Sequence, residues 1–327
     1  MPAVSVIIPV FKVELYIERC ARSLFQQTLG DIEYIFVDDC SPDRSIAIVR
    51  DVLEDYPERK NQVRFYHMSK NSGLAAVRYY GYTVATGDYV IACDSDDDVD
   101  TSAYQRMYDV ATTNDLDIVL CDYWAVKDGI QTAKSMYSQP GTEVDSLLVG
   151  KTMGSLWCRM FRRSLLNGVE AAVGAMSEDL VISVQAHIKA TRIGYISEPL
   201  YYYFLRNSSI TWTPGLVADL SRWKSSYSNA KLLVDLLVNR YGLDGNRPSI
   251  VFYKYRNRAA LKKYVHMPEY YQKWRQTFPE IDCRFLVTGG IPLIEKFWFI
   301  LIHLRLYHPW KMMTQFLRRC FCHTDAR

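Results

Sequence analysis

Five short apolar runs, separated by stretches of helical period, constrain this chain more than any other feature. The runs are Val4 to Pro9, Glu33 to Asp38, Val63 to His67, Tyr89 to Cys93 and Asp117 to Cys121. Between the first two, Ile17, Cys20, Ala21 and Leu24 recur at helical spacing, and Ile46, Val49, Val52 and Leu53 do so after the second. Short strands alternating with crossover helices build a mostly parallel sheet covered by helices, so the fold class is α/β. In such a sheet, ligands bind beyond the carboxyl ends of the strands. Those ends carry "PVFK" after the first run, "DDCSPD" after the second and "DSDDD" after the fourth, three polar loops that can face one crevice.

The chain has 327 residues, enough for one large domain or for one of usual size with an appendage. With 49% hydrophobic residues and a net charge of +3, it reads neither as disordered nor as a nucleic-acid-binding protein. Its eight cysteines lack the C-x-x-C spacing of zinc or redox sites, and most sit among apolar residues as reduced core side chains. "MPAVSVIIPVF" has neither a basic segment nor a cleavage site, and its apolar run is too short to span a bilayer, so a cytoplasmic location is expected.

Residues 123 to 154 read as irregular, with room for a hairpin. "SLWCRMFRRSLL" is an apolar and basic block. "MSEDLVISVQAHIKA" has a polar start followed by a helix, and two short strands are expected at Ile193 to Ile196 and Leu200 to Phe204. From Trp212 the pattern changes to long helices rich in Lys, Arg and Tyr, one of which stops at Gly242. This places a catalytic domain at 1–212, with a nucleotide half to about 100 and an acceptor half after it. A helical appendage follows at 213–327.

Three constellations carry chemistry. "DSDDDVD" puts five aspartates within seven residues at the end of a buried strand. Asp98 and Asp100 suit the start of the helix expected near Thr101. Asp94 and Asp96 come directly off the strand, where a carboxylate is costly unless it is paired or metal-bound. Carboxylates are hard ligands for Mg²⁺ or Mn²⁺, leaving room for water and phosphate oxygens. A solvated acidic loop remains the other reading. "FVDDCSPD" ends a strand with Asp38 and Asp39; no glycine follows the first strand, which argues against nicotinamide or flavin binding, while a carboxylate contacting a base or ribose stays open beside a simple turn. "MSEDL" reads, by itself, as Ser177 capping a helix whose first turn holds Glu178 and Asp179.

Taken in order, "VSVIIPVFK", "CARSLFQQT", "EYIFVDDCSPDRS", "NSGLAAVRYYGYTVATGDYVIACDSDDD" and "SEDL" resemble the inverting family 2 glycosyltransferases of the GT-A type, including those that build bacterial surface polysaccharides. The likeness covers about residues 3 to 100 and resumes in pieces from 155 to 211. It implies a GT-A type nucleotide-diphospho-sugar transferase fold. Pro9, Val10 and Phe11 would line the nucleotide site, with Phe11 in place of the usual tyrosine. Asp39, with Asp38 beside it, would face the base, most often uracil. Asn71, Gly73 and Arg78 would approach the donor, and Ser95 would sit in the donor site between Asp94 and Asp96. Asp94 would face ribose or metal, and Asp96 would bind the Mn²⁺ or Mg²⁺ that bridges the diphosphate. Asp179 would be the general base with Glu178 orienting it, and Arg206 would reach the diphosphate or stand as an exposed turn residue. Lys12 replaces the usual asparagine. Trp157 matches an acceptor-side tryptophan and would look the same if simply buried.

The implied reaction moves a hexosyl or N-acetylhexosaminyl group from a nucleotide-sugar donor, UDP-linked by resemblance, to a hydroxyl of a glycan or lipid-linked oligosaccharide. An inactive nucleotide- or carbohydrate-binding scaffold and a sugar nucleotidyltransferase are the alternatives. The first needs no base such as "SED", and the second usually has a Gly-rich basic loop that "PVFK" is not. The apolar cluster from 291 to 322 is interrupted by Glu295, Lys296, His303 and Arg305, so it does not span a membrane. It would lie on the inner face of the cell membrane, pack on the catalytic domain, or form a homodimer.

Overall fold

A computed structural model describes residues 1–136, 143–206 and 215–321, with backbone alone for 143 and 315–321. The polar segment after Arg206, the boundary placed near 212 and Cys322 lie outside the described residues. The chain divides into two compact units, Met1–Ala218 and Asp219–Arg327.

In the first unit, β1 (Val4–Val10), β2 (Ile32–Asp38), β3 (Val63–His67) and β4 (Tyr89–Ala92) are parallel in the order β3-β2-β1-β4, as expected for strands joined by α1 (Ile17–Phe25), α2 (Ser45–Leu53) and α3 (Leu74–Val84). Beyond β4 the sheet becomes mixed. After the two-residue β5 (Asp98–Val99) and α4 (Ala103–Thr113), β6 (Ile118–Lys127) folds back on β7 (Ile130–Lys134) as a hairpin. Then α5 (Glu143–Val149) precedes β8 (Arg159–Arg162), which is antiparallel to both β4 and β6. Finally α6 (Glu178–Lys189) leads to β9 (Ile193–Phe204), parallel to β6 and antiparallel to β5.

Both faces of β1, β2 and β4 are covered, which is why these strands read as mostly apolar runs, whereas the edge strand β3 is partly exposed. With a side-chain period of two, Val4, Val6, Ile8 and Val10 pack with α1, α2 and α4, while Ile7 packs with Val77 and Tyr82 of α3 and with Ile182 of α6. Each such side chain contributes roughly 1.5–3 kcal/mol by leaving water. α3 lies close on β1 because Gly81 has no Cβ; one placed there would come 2.3 Å from Ile7 Cγ2. Cys20, Cys93, Cys121 and Cys158 are buried free thiols, as the sequence suggested, whereas Cys40 and Cys283 are exposed.

Two readings need correction. The strands expected at 193–196 and 200–204 are one strand, β9, because β6 continues beside it to Val126 and a register irregularity around Asp122 absorbs "SEP" without breaking the ladder. The hairpin allowed for in 123–154 is present as β6 and β7, but the stretch is less irregular than expected, since it also supplies α5.

The second unit is helical: α7 (Leu216–Asp235), whose last turn widens over Leu236–Arg240 before left-handed Gly242, α8 (Pro248–Ala259), α9 (Pro268–Gln276), α10 (Leu293–His303) and α11 (Tyr307–Phe321). Trp274, Phe285 and Phe299 meet at its centre, and fully buried Arg258 lies over the Trp274 ring while pairing with Asp282. Among the described residues, no helix is long and apolar enough to cross a membrane.

Candidate active site

The carboxyl ends of β1, β2 and β4 meet as the strand order requires. After β1, Pro9 and Val10 give way to Phe11, whose ring is 40% exposed, and to left-handed Lys12 (φ 55°). The amide of Lys12 donates to Ser41 Oγ (2.8 Å) and that of Val13 to Ser45 Oγ (3.1 Å), pinning the first loop to the second. Asp38 accepts the Ser41 amide (2.8 Å) and faces His67 Nδ1 at 3.0 Å. Asp39 is buried, and its two oxygens take the amides of Ser72 (2.6 Å) and Gly73 (2.8 Å), while Asn71 Nδ2 donates to the Asp39 carbonyl (3.2 Å). Asp39 therefore builds the loop that opens α3. Gly73 has φ +83°, a conformation that favours glycine.

The crowded aspartates after β4 coexist because each has its own partner. Asp94 pairs with Arg78, Asp96 with Arg206, and Asp98 with Arg19 Nε at 2.6 Å. Arg19 also donates to the Asp96 carbonyl (3.0 Å), and Asp100 accepts the amide and hydroxyl of Ser102 (2.9 and 2.7 Å). Asp97 is buried; it accepts the Tyr201 hydroxyl and the Phe204 amide, both at 2.9 Å. Burial, reinforced by the Asp94 charge, pushes the Asp97 pKa well above the usual carboxylate range. Tyr201 Oη in turn accepts the Asp94 amide (3.1 Å), so β9 holds the aspartate loop in shape and carries Arg206 to Asp96. The Arg206 guanidinium lies 4.0 Å from the centre of the Tyr16 ring.

Arg78 joins this loop to the start of α6. It is buried on α3, with one arm to Asp94 and the other to Glu178. Burial pushes the Glu178 pKa from 4.5 up to about 7, with Arg78 opposing and Asp179 adding to the rise. Asp179 is partly buried and accepts the Leu180 amide (2.7 Å). Its pKa too is raised by burial, against the lowering effects of Arg78 and of fully buried Arg159. Ser177 precedes the helix in a left-handed conformation (φ 65°), not in the extended one of a capping serine, which corrects the helix-cap reading of this motif. Trp157 stacks on Tyr201 (4.5 Å) and Tyr203 (5.4 Å), with Tyr123 edge-on at 5.0 Å, and is nearly buried.

Of the residues singled out in the sequence, Asp94, Arg78 and Glu178 are thus in direct contact, with Asp179 next in the chain. Asp96 and Arg206 form a second pair, while Asp38, Asp39, Asn71 and Gly73 make one loop framework with Phe11 exposed beside it. Ser95 is buried. Sequence reading missed Arg19, Asp97, Tyr201 and Arg159. Asp97 hides inside the acidic run and Tyr201 inside "YYYF", and a helix-surface arginine such as Arg19 carries no signal. Only Arg159, charged within an apolar block, could have been flagged. A cavity of about 370 Å³ bordered by Asp88, Tyr89, Arg162 and Arg163 lies at the amino end of β4, away from these groups.

Two carboxylates, Asp94 and Asp96, stay partly open, with side chains 26% and 33% exposed. Their hard oxygens fit a divalent cation that takes its remaining ligands from phosphate and water. Among the described residues, no group of three or more His, Cys, Asp or Glu side chains is placed to hold one unaided.

Residues 5–169 match the family model described as Glycosyl transferase family 2. A Bacillus subtilis (strain 168) protein named uncharacterized glycosyltransferase EpsJ is 32% identical over 261 residues, 75% of this chain and 72% of its own length. Among solved structures, S. aureus TarS 1-349 in complex with UDP-GlcNAc superposes with a TM-score of 0.61 at 17% identity, covering 98% of this chain and 92% of that one. The mannosyltransferase PcManGT from Pyrobaculum calidifontis, in complex with GDP-Man and Mn²⁺, gives 0.55 at 15% identity, covering 100% and 88%. At these identities the structural likeness is one of fold.

Proposed function

Since the chain belongs to glycosyl transferase family 2 and has the GT-A fold, we propose that it transfers a hexosyl or N-acetylhexosaminyl group, with inversion, from a UDP-sugar to a hydroxyl of a glycan or lipid-linked glycan. The observation that carries this reading is the Arg78 bridge. One buried guanidinium ties a carboxylate of the Asp-x-Asp loop to Glu178, so the groups suited to donor and acceptor sit across a single side chain.

Asp94 and Asp96 would hold Mn²⁺ or Mg²⁺, which when bound offsets charge on the departing diphosphate. Phe11 offers apolar surface to the base, with Asp38 and Asp39 shaping the loops on either side. Arg206, which neutralises Asp96 here, would release it on donor binding and turn to the diphosphate. Asp179 takes the proton of the acceptor hydroxyl as that oxygen bonds to the anomeric carbon and the bond to the diphosphate breaks. General-base catalysis of this kind contributes roughly 10²- to 10⁴-fold. Burial raises the proton affinity of Asp179, which suits the task, and Glu178 orients it. An acceptor carried on lipid would bring the enzyme to the inner face of the cell membrane.

Calorimetric titration with UDP, GDP, CDP and dTDP, each with and without Mn²⁺, tests the donor assignment. Tight binding of UDP alone, dependent on Mn²⁺ and weakened by Asp96→Ala, is expected. Binding of another nucleotide would replace the donor, and metal-independent binding would remove Asp96 as a ligand.

A further inference from the structure

α10 has its polarity inside out. Its polar side chains turn toward the protein: Glu295 accepts the Tyr255 hydroxyl (2.7 Å), Lys296 donates to the carbonyls of Leu286 and Thr288 (2.7 and 2.8 Å), and His303 Nε2 lies 3.5 Å from Asp282. Phe299 and Ile302 fill the core on that side. The outer face is apolar, with Leu293 82%, Phe297 37%, Ile300 41% and Leu304 61% exposed. These residues follow the i, i+4, i+7, i+11 spacing of a single helix face. In α11, Trp310 and Met313 are also exposed, and the Phe297 and Trp310 rings meet edge to face at 5.6 Å, so the two helices present one continuous apolar surface. A helix that faced only water would place its charges outward; this one spends them inward.

The charge around the patch selects its occupant. From Asp282 to Thr314 the charged residues are Arg284, Lys296, Arg305 and Lys311 against Asp282 and Glu295, and both acids are engaged, Asp282 by Arg258 and Glu295 by the Tyr255 hydroxyl. Arg284, Arg305 and Lys311 are exposed. A twofold dimer through this face would bring these exposed cations toward their own copies, at a repulsive cost. An anionic bilayer attracts the same cations while the headgroup boundary takes the apolar face and the Trp310 ring. We infer that α10 and α11 lie flat on an anionic lipid surface, with Leu293, Phe297, Ile300 and Trp310 inserted. This inference stands on the second unit and does not depend on the catalytic assignments.

The test is flotation of the full-length protein with vesicles containing phosphatidylglycerol and with vesicles of phosphatidylcholine alone, with light scattering to read its mass. Binding on the order of tenfold stronger to the anionic vesicles is expected, lost in high salt. Leu293→Ser and Lys311→Glu, both exposed positions, should each weaken it several-fold without changing the circular dichroism spectrum or the nucleotide binding. Equal or no binding to the two vesicle types, or a stable dimer whose formation Leu293→Ser abolishes, would overturn the inference.

Discussion

Arg78 is the residue on which the site turns. Its burial is costly, and it is tolerated because Asp94 and Glu178 surround it; their charges raise its pKa against the lowering effect of burial. Arg78→Gln leaves two carboxylates facing one another without their cation, and we expect a loss of about 3–5 kcal/mol at neutral pH. The sign of its pH dependence follows from Glu178. A folded pKa of about 7, above the ordinary 4.5, means that the folded state holds this proton more tightly, so stability contributed by the protonated carboxyl falls as pH rises through that window. Without Arg78 the penalty for ionising Glu178 grows, so urea midpoints of Arg78→Gln and wild type should diverge most above pH 7 and converge toward pH 5. A constant gap would mean that Arg78 acts by packing. Asp94 and Asp96 were legible in the sequence because acids directly beyond a buried strand demand a partner, whereas Glu178 and Asp179 read alone as the acidic first turn of a helix and stood out only through the family resemblance. The sequence did not reveal Arg78 as that partner, since one hundred residues separate it from Glu178.

At the scale of elements, the parallel half of the sheet was readable because strands covered on both faces are short and apolar. The second half was readable only in part. Only the apolar start of β6 stood out, a bulge near Asp122 disguises β9 as two strands, and β7 has every side chain exposed and so no apolar pattern to detect. The close approach of α3 to β1 was equally hidden, because a glycine reads as punctuation until its neighbour is known. Gly81→Ala should force Ile7 or the helix to shift and cost about 1–3 kcal/mol. A lowered thermal midpoint with wild-type UDP affinity is the expected pair of results; an unchanged midpoint would show that the α3–β1 contact yields without strain.

The whole molecule pairs a GT-A unit with a helical one, and the two were unequally legible. The first carries ordered loop motifs whose spacing survives in the sequence. The second shows only that its helices are apolar and basic, because whether a charge faces inward or outward is a property of packing. In the first unit the proposal is that Asp179 accepts the acceptor proton while Asp94 and Asp96 serve the donor. The measurement that tests it is Asp179→Asn, assayed for UDP affinity with Mn²⁺ and for transfer of labelled sugar from UDP-sugars into a membrane extract of the source organism. UDP affinity within about twofold of wild type, with transfer reduced by roughly 10²-fold or more, is predicted. Transfer retained at the wild-type rate would remove Asp179 as the base and point to Glu178 instead.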